Sequence, residues 1–142
     1  MSKASSSRIV LGAFALVLAG TAQAHHSYAD FDGCNRVSVR GEIASLQWVN
    51  PHVLVTVRDS AQVEHIVVWF SLTQAAQAGV EGGTLRIGDS VVVTGAPHRD
   101  PEKHLLSRIS AVQRPVDGWE WTRASGPTTR CAEAAAAGTS PQ

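Results

Sequence analysis

Polar and apolar residues alternate along VSVRGEI, with Val37, Val39 and Ile43 on one side and Ser38, Arg40 and Glu42 on the other. That is the period of a half-buried strand. The phase then changes. Leu46 and Trp48 are the next large apolar residues, so one long strand keeps both sets inward only with a bulge or bend between Gly41 and Ser45. Asn50-Pro51 marks a turn, because proline cannot donate to a ladder. A second alternating strand is predicted over His52 to Arg58, followed by a turn at Asp59-Ser60. A third covers Glu64 to Phe70, with Val67 and Trp69 on one side.

SLTQAAQAG, residues 71 to 79, has a different composition. Ser71 or Thr73 offers a cap, the alanines favour a helix and Gly79 stops it, so a helix of two turns is expected. A Gly-Asp turn then leads into a fourth strand around Ser90 to Thr94, ended by Gly95. After the polar loop HRDPEKH a fifth strand runs from Leu105 to Val112. Beyond Pro115 the pattern weakens, and AEAAAAGTSPQ reads as either a short helix or a disordered tail.

Three strands, a short helix and two further strands give an all-β fold: a small five-stranded OB-like barrel with one short helix between strands 3 and 4. An immunoglobulin-like sandwich expects about seven strands. A doubly wound α/β sheet needs long helices between its strands, and none is predicted.

Residues 1 to 24 form a separate segment. Lys3 and Arg8, the run IVLGAFALVLAG and then TAQA reproduce the basic, apolar and small-residue sections of a secretory signal peptide. The apolar run is shorter than the roughly 20 residues of a membrane-spanning helix, so cleavage after Ala24 and a periplasmic product without membrane insertion are expected. The domains are then 1–24 signal peptide, 25–115 barrel, and 116–142 a C-terminal extension. The signal segment carries two of the 12 basic residues and none of the 12 acidic ones, leaving 10 minus 12, a net charge of −2. Such a chain has no broad basic field for nucleic acid.

Only two cysteines occur, Cys34 and Cys131, near the ends of the processed chain. In an oxidising compartment a matched pair favours a disulfide, which would tie the extension to the barrel. The rival, a soft metal site on both thiolates, is incomplete with two ligands and lacks CxxC spacing.

HHSYADFD after the signal segment, SLQWVNPHVLVTV and IGDSVVVTGAP together resemble a family of small exported bacterial proteins of unknown function. Its members share an N-terminal His-His-Ser, a Trp-x-Asn-Pro-His segment and a Gly-Asp-x-Val-x-Val-x-Gly strand. The resemblance covers roughly residues 25 to 112 and implies a periplasmic OB-like barrel, with no settled activity. The two cysteines and the WEW segment depart from that pattern.

Processing at Ala24 would give His25 a free α-amino group beside its own imidazole, with the His26 imidazole adjacent. Amine and imidazole from one residue can chelate a divalent ion, and nitrogen-rich tetragonal sites favour Cu(II). His52, just after the Asn50-Pro51 turn, is the best third donor, giving His25, His26 and His52 as the expected metal set with copper as the favoured ion. The bland alternative is a terminus that serves only processing or solubility. His65 reads as a hydrogen-bonded strand histidine, and His98 and His104 as solvated loop residues, although a hairpin could bring those two together. Trp48 and Trp69 read first as core, and Trp119 and Trp121 as a cap on the barrel end. No nucleophile elbow, phosphate loop or HExxH motif is present, and a binding protein is expected rather than an enzyme. Two functions remain open. One is a periplasmic metal-binding protein; the other is an OB-type interaction or small-ligand module, using Trp48, Asn50 and His52, for an envelope partner or a small ligand.

Overall fold

The computed structural model describes residues 28–123 and Cys131. Its elements are β1 (Val37–Gln47), β2 (Leu54–Arg58), β3 (Glu64–Val68), α1 (Leu72–Gln77), β4 (Ser90–Pro97), β5 (Leu105–Arg114) and β6 (Trp119–Thr122). Antiparallel pairings order the strands β3-β2-β1-β4-β5-β6, and a parallel β3–β5 pairing, Ile66 to Leu105 and Val67 to Leu106, closes the first five into a barrel. Closure removes the open ladder edges that isolated sheets must protect. The all-β barrel expected from the alternation is therefore present, with the helix between the third and fourth strands.

β1 is long because it serves two partners. Its first half pairs with β4, from Val37 opposite Gly95 to Glu42 opposite Ser90. Its second half pairs with β2, and the register slips between Ile43 and Ser45. This is the bulge that the change of phase requires: it lets the fully buried Ile43 and the partly buried Leu46 both pack with the core. Gly41 lies where a Cβ would collide with the Arg58 carbonyl, so the bend also needs a residue without a side chain.

Valine is the commonest residue of the interior: Val55, Val57, Val67, Val91, Val93 and Val112 are all buried. The β2–β3 ladder continues past its strand ends, with Val53 N–H donating to the Phe70 carbonyl at 2.9 Å and Trp69 N–H to the Val53 carbonyl at 3.0 Å. α1 is held by a capping box, in which Ser71 Oγ accepts from Gln74 N–H and Gln74 Oε1 accepts from Ser71 N–H. That reciprocal pair satisfies two donors a helix start would otherwise leave open. Gly79 follows at φ +69°, a left-handed conformation that suits glycine.

The chain past Pro115 contributes more than its pattern suggested. β6 pairs with β5, Val112 opposite Trp121 and Gln113 opposite Glu120, so the sheet extends beyond the predicted barrel boundary. Arg114 secures this hairpin by donating to Asp117, to Asp89 Oδ2 at 2.9 Å and to the Thr84 carbonyl at 2.6 Å. The Arg114 guanidinium holds the Asp117 carboxyl below the usual carboxylate range, helped by the Trp119 N–H. Trp121 packs edge-on against Trp69 at 5.1 Å and Phe70 at 5.3 Å between centroids. Cys34, just before β1, is bonded to Cys131, with Cα atoms 5.3 Å apart.

Candidate ligand-binding site

His25 and His26 lie outside the described residues. Among those described, no three His, Cys, Asp or Glu side chains are grouped to hold a metal ion. His52 is exposed and follows a cis Asn50–Pro51 bond. Asn50 is occupied at the helix start, where its Oδ1 accepts from Leu72 N–H at 3.1 Å. Trp48 packs against the core, and a Cβ on Gly82 would stand 3.2 Å from its Cδ1. The structure therefore places Trp48 and Asn50 in packing and capping roles, while His52 faces a different set of neighbours.

Those neighbours surround a cavity of about 320 Å³. The end of β3 supplies Val68 and the residue after it Trp69, α1 supplies Gln74, and β5 supplies Ser107 and Arg108; Arg36 enters from before β1 and Arg123 from after β6. At this volume the cavity lies at the small end of the roughly 300–1,000 Å³ typical of ligand pockets. Its wall holds Ser107, the one buried polar residue among those described. It also includes Trp69, whose Nε1 is the one buried side-chain polar atom among those described without a hydrogen-bond partner.

Local backbone irregularity produces this wall. Between β4 and β5 the register slips, from Thr94 opposite Ala111 to Ala96 opposite Ser107, and the extra β5 residues include Arg108 at φ +48°. A side-chain-bearing residue in that region costs about 1–2 kcal/mol. Gly95 stands opposite, where a Cβ would come within 2.7 Å of Ile109 Cδ1 and 2.9 Å of the Ser107 carbonyl oxygen. Arg36 folds back, its Nη1 donating to the Gly33 carbonyl at 2.8 Å and to the Asn35 carbonyl at 2.9 Å. A Cβ on Gly33 would be 2.6 Å from Arg108 Nη1. Two guanidiniums thus converge on Gly33.

The remaining histidines gather elsewhere. His65, His98 and His104 line a second cavity of about 260 Å³ beside the β4–β5 connection. His65 Nε2 is 2.9 Å from Asp59 Oδ2, and its ring meets His104 edge-on at 5.4 Å. That hydrogen bond is the main reason the Asp59 carboxyl is held below its ordinary range. His98 Nδ1 accepts from Asp100 N–H at 2.9 Å. The hairpin does bring His98 and His104 to one cavity, and barrel closure adds His65.

Arg36, Arg108 and Arg123 were not singled out by the sequence reading. They stand far apart in the chain, and only β4–β5 pairing and the β6 hairpin bring them to one wall. No short motif encodes that grouping.

Residues 14–107 match the model of a family of unknown function (DUF6152). No curated protein matches the chain.

Proposed function

The chain belongs to the DUF6152 family, whose function is unknown, and we propose that it is an exported binding module that takes a small ligand in the cavity between β3, α1 and the β5 bulge. The observation that carries this reading is the bulge itself. It keeps Arg108 in a costly conformation and turns it toward a concave wall that also contains Ser107 and the unpartnered indole of Trp69. Backbone strain of this kind collects at ligand sites, where the surrounding structure and a bound molecule offset its cost. Export is supported by the apolar leader and by the Cys34–Cys131 bond, since such bonds persist in oxidising compartments.

A thermal-shift screen of the processed protein against amino acids, sugars, dicarboxylates and phosphorylated metabolites tests the reading. At least one compound should raise Tm at millimolar concentration, and His52→Trp, which puts a larger ring in the cavity lining, should weaken or abolish that shift. Shifts that survive the plug would place binding elsewhere and end this reading.

A second reading, a divalent ion such as copper held by His25 with His26 and His52, has one observation in its favour. Arg99 Nε donates to the Ala29 carbonyl at 2.9 Å, and Phe31 pairs with His98, tying the start of the described chain to the barrel. His25 is four residues upstream of Ala29, within about 14 Å along an extended chain. Copper titration of the processed form beside one carrying an extra N-terminal residue separates the cases: a terminal site loses most of its affinity when the amine becomes an amide.

A further inference from the structure

We infer that His98 and His104, on the β4–β5 connection, form the barrel's half of a divalent-ion site that the processed N-terminus completes through His25 and His26. This rests on the terminal-ion reading above and replaces its third donor, His52.

The first support is the course of the chain as it enters the barrel. Asp32 N–H donates to the Pro97 carbonyl at 2.8 Å, Phe31 forms an antiparallel bridge with His98, and Arg99 N–H donates to the Asp30 carbonyl at 2.8 Å. Each step toward the N-terminus is thus matched by a step from β4 toward the connection. Arg99 Nε extends the series by donating to the Ala29 carbonyl at 2.9 Å, and the buried Phe31 ring pins the segment down. His26 and His25, outside the described residues, are three and four positions before Ala29, a reach of about 14 Å for the farther one. The segment that carries them is therefore tethered beside Arg99, the residue next to His98.

The second support is the setting of the two histidines. Both line the cavity of about 260 Å³, which they share with the apolar Val37, Val39, Leu105 and Leu106. The His98 ring meets Phe31 edge-on at 5.3 Å, and its Nδ1 lies 2.9 Å from the Asp100 nitrogen and 3.2 Å from the Asp100 carbonyl oxygen. In one tautomer Nδ1 accepts from that N–H; in the other it donates to that carbonyl. The second arrangement frees the Nε2 lone pair for an ion while a backbone carbonyl holds the ring, the usual support of a ligating imidazole. His104 is exposed, fixed by its N–H donating to the Pro101 carbonyl at 3.1 Å and by its edge-on contact with His65. His65 has its own Nε2 committed to Asp59, so it braces His104 rather than adding a donor. Two imidazoles are too few for a site, and the described residues offer no group of three. A nearby amine and imidazole supply what is missing, in the nitrogen-rich set that Cu(II) favours.

The third support is the position of His52. Val53 N–H donates to the Phe70 carbonyl, which sets His52 past the C-terminal end of β3. His104 and His98 stand at the other end: the His104 carbonyl accepts from Ile66 N–H, Leu105 pairs with Ile66, and His98 N–H donates to the Leu105 carbonyl. Ile66 and Phe70 are four residues apart in the chain, about 13 Å in extended backbone. His52 and the two connection histidines therefore flank opposite ends of β3, and the strap formed by residues 29–32 lies with the latter.

The test is isothermal titration of the full processed chain, starting at His25, with Cu(II). His98→Gln and His104→Asn, the latter suited to a left-handed backbone, should each weaken binding by at least about tenfold, since even partners outside the ligand shell cost 10–100-fold. His52→Gln should leave the affinity unchanged, and circular dichroism should show the same melt for all three. A second measurement needs no variant: in a nitrogen-15 correlation spectrum Cu(II) should broaden the amide signals of Phe31, Arg99 and Leu105 and spare those of Val53 and Phe70. Affinity that ignores both connection substitutions yet falls when one residue is added before His25 overturns the inference and leaves the terminal-ion reading standing. Loss of binding in His52→Gln, with broadening at Val53 and Phe70, overturns it in favour of the original donor set. Affinity that survives the added residue, or no binding at all, removes the shared site and the terminal reading together.

Discussion

The Cys34–Cys131 bond brackets the barrel, joining a residue three positions before β1 to one beyond β6 across a sequence separation of 97. Its effect on stability can be worked from that span. In the chain-entropy relation, closing a loop of this length removes about 2.1 + 1.5R ln 97, or roughly 16 cal/mol/K, from the unfolded chain. At 25 °C that is about 4.7 kcal/mol, an upper value because a compact denatured state has less entropy to lose. The double variant Cys34→Ala/Cys131→Ala, which leaves no free thiol, is therefore expected to lose about 2–4.7 kcal/mol. For a domain of this size each kcal/mol lowers Tm by roughly 4–8 °C. Urea denaturation of the oxidised protein and the double variant is the assay. The loss should come with a larger m-value, since an uncrosslinked chain exposes more surface when it unfolds. A loss below about 1 kcal/mol, or one with an unchanged m-value, would refute the account of the bond as a constraint on the unfolded chain.

Gly95→Ala should cost about 1–3 kcal/mol, because its Cβ meets Ser107 backbone as well as Ile109, and chemical denaturation measures it directly. Trp121→Ala should cost about 2–4 kcal/mol by stripping the Trp69–Phe70 pair of its edge-on neighbour, read as a drop in Tm with altered near-ultraviolet circular dichroism. The pH dependence follows from Asp59, whose carboxyl is lowered chiefly by its hydrogen bond to His65. A carboxyl lowered on folding contributes stability that is fully present above its unfolded value of about 3.9 and is lost as pH falls through the lower folded value. Asp59→Asn should accordingly flatten the fall in Tm between about pH 5 and pH 2.5, and a profile parallel to wild type would count against the pairing.

Much of the barrel was legible because its signals are local. The alternation in Val37 to Ile43 and its slip before Leu46 encode both the length of β1 and the register shift between Ile43 and Ser45. Ser71, Gln74 and Gly79 mark the helix and its ends. β6 escaped because WEWT is only four residues long, yet Asp117-Gly118 followed by alternating tryptophans is a hairpin signal that could have revealed it. The cavity was less accessible. Arg36, Arg108 and Arg123 each look like ordinary solvated charges until non-local pairing gathers them, and nothing in RIS, residues 108 to 110, announces a positive φ. The interaction-module reading instead used Trp48 and Asn50 beside His52, although Trp48 on its own reads as core. Trp48 and Asn50 are engaged with Gly82 and the α1 start, contacts that depend on where the later chain returns.

The indole N–H signals of the four tryptophans offer the most direct test of ligand binding at the β5 bulge. In a nitrogen-15 correlation spectrum of the processed protein, assigned with Trp69→Phe and Trp48→Phe, a bound ligand should move the Nε1–H resonance of Trp69, a residue that lines the cavity. The Trp48 signal, from the ring beside Gly82, should stay in place. A saturable shift of Trp48 with Trp69 unmoved, or a ligand that binds without disturbing either, would contradict the site.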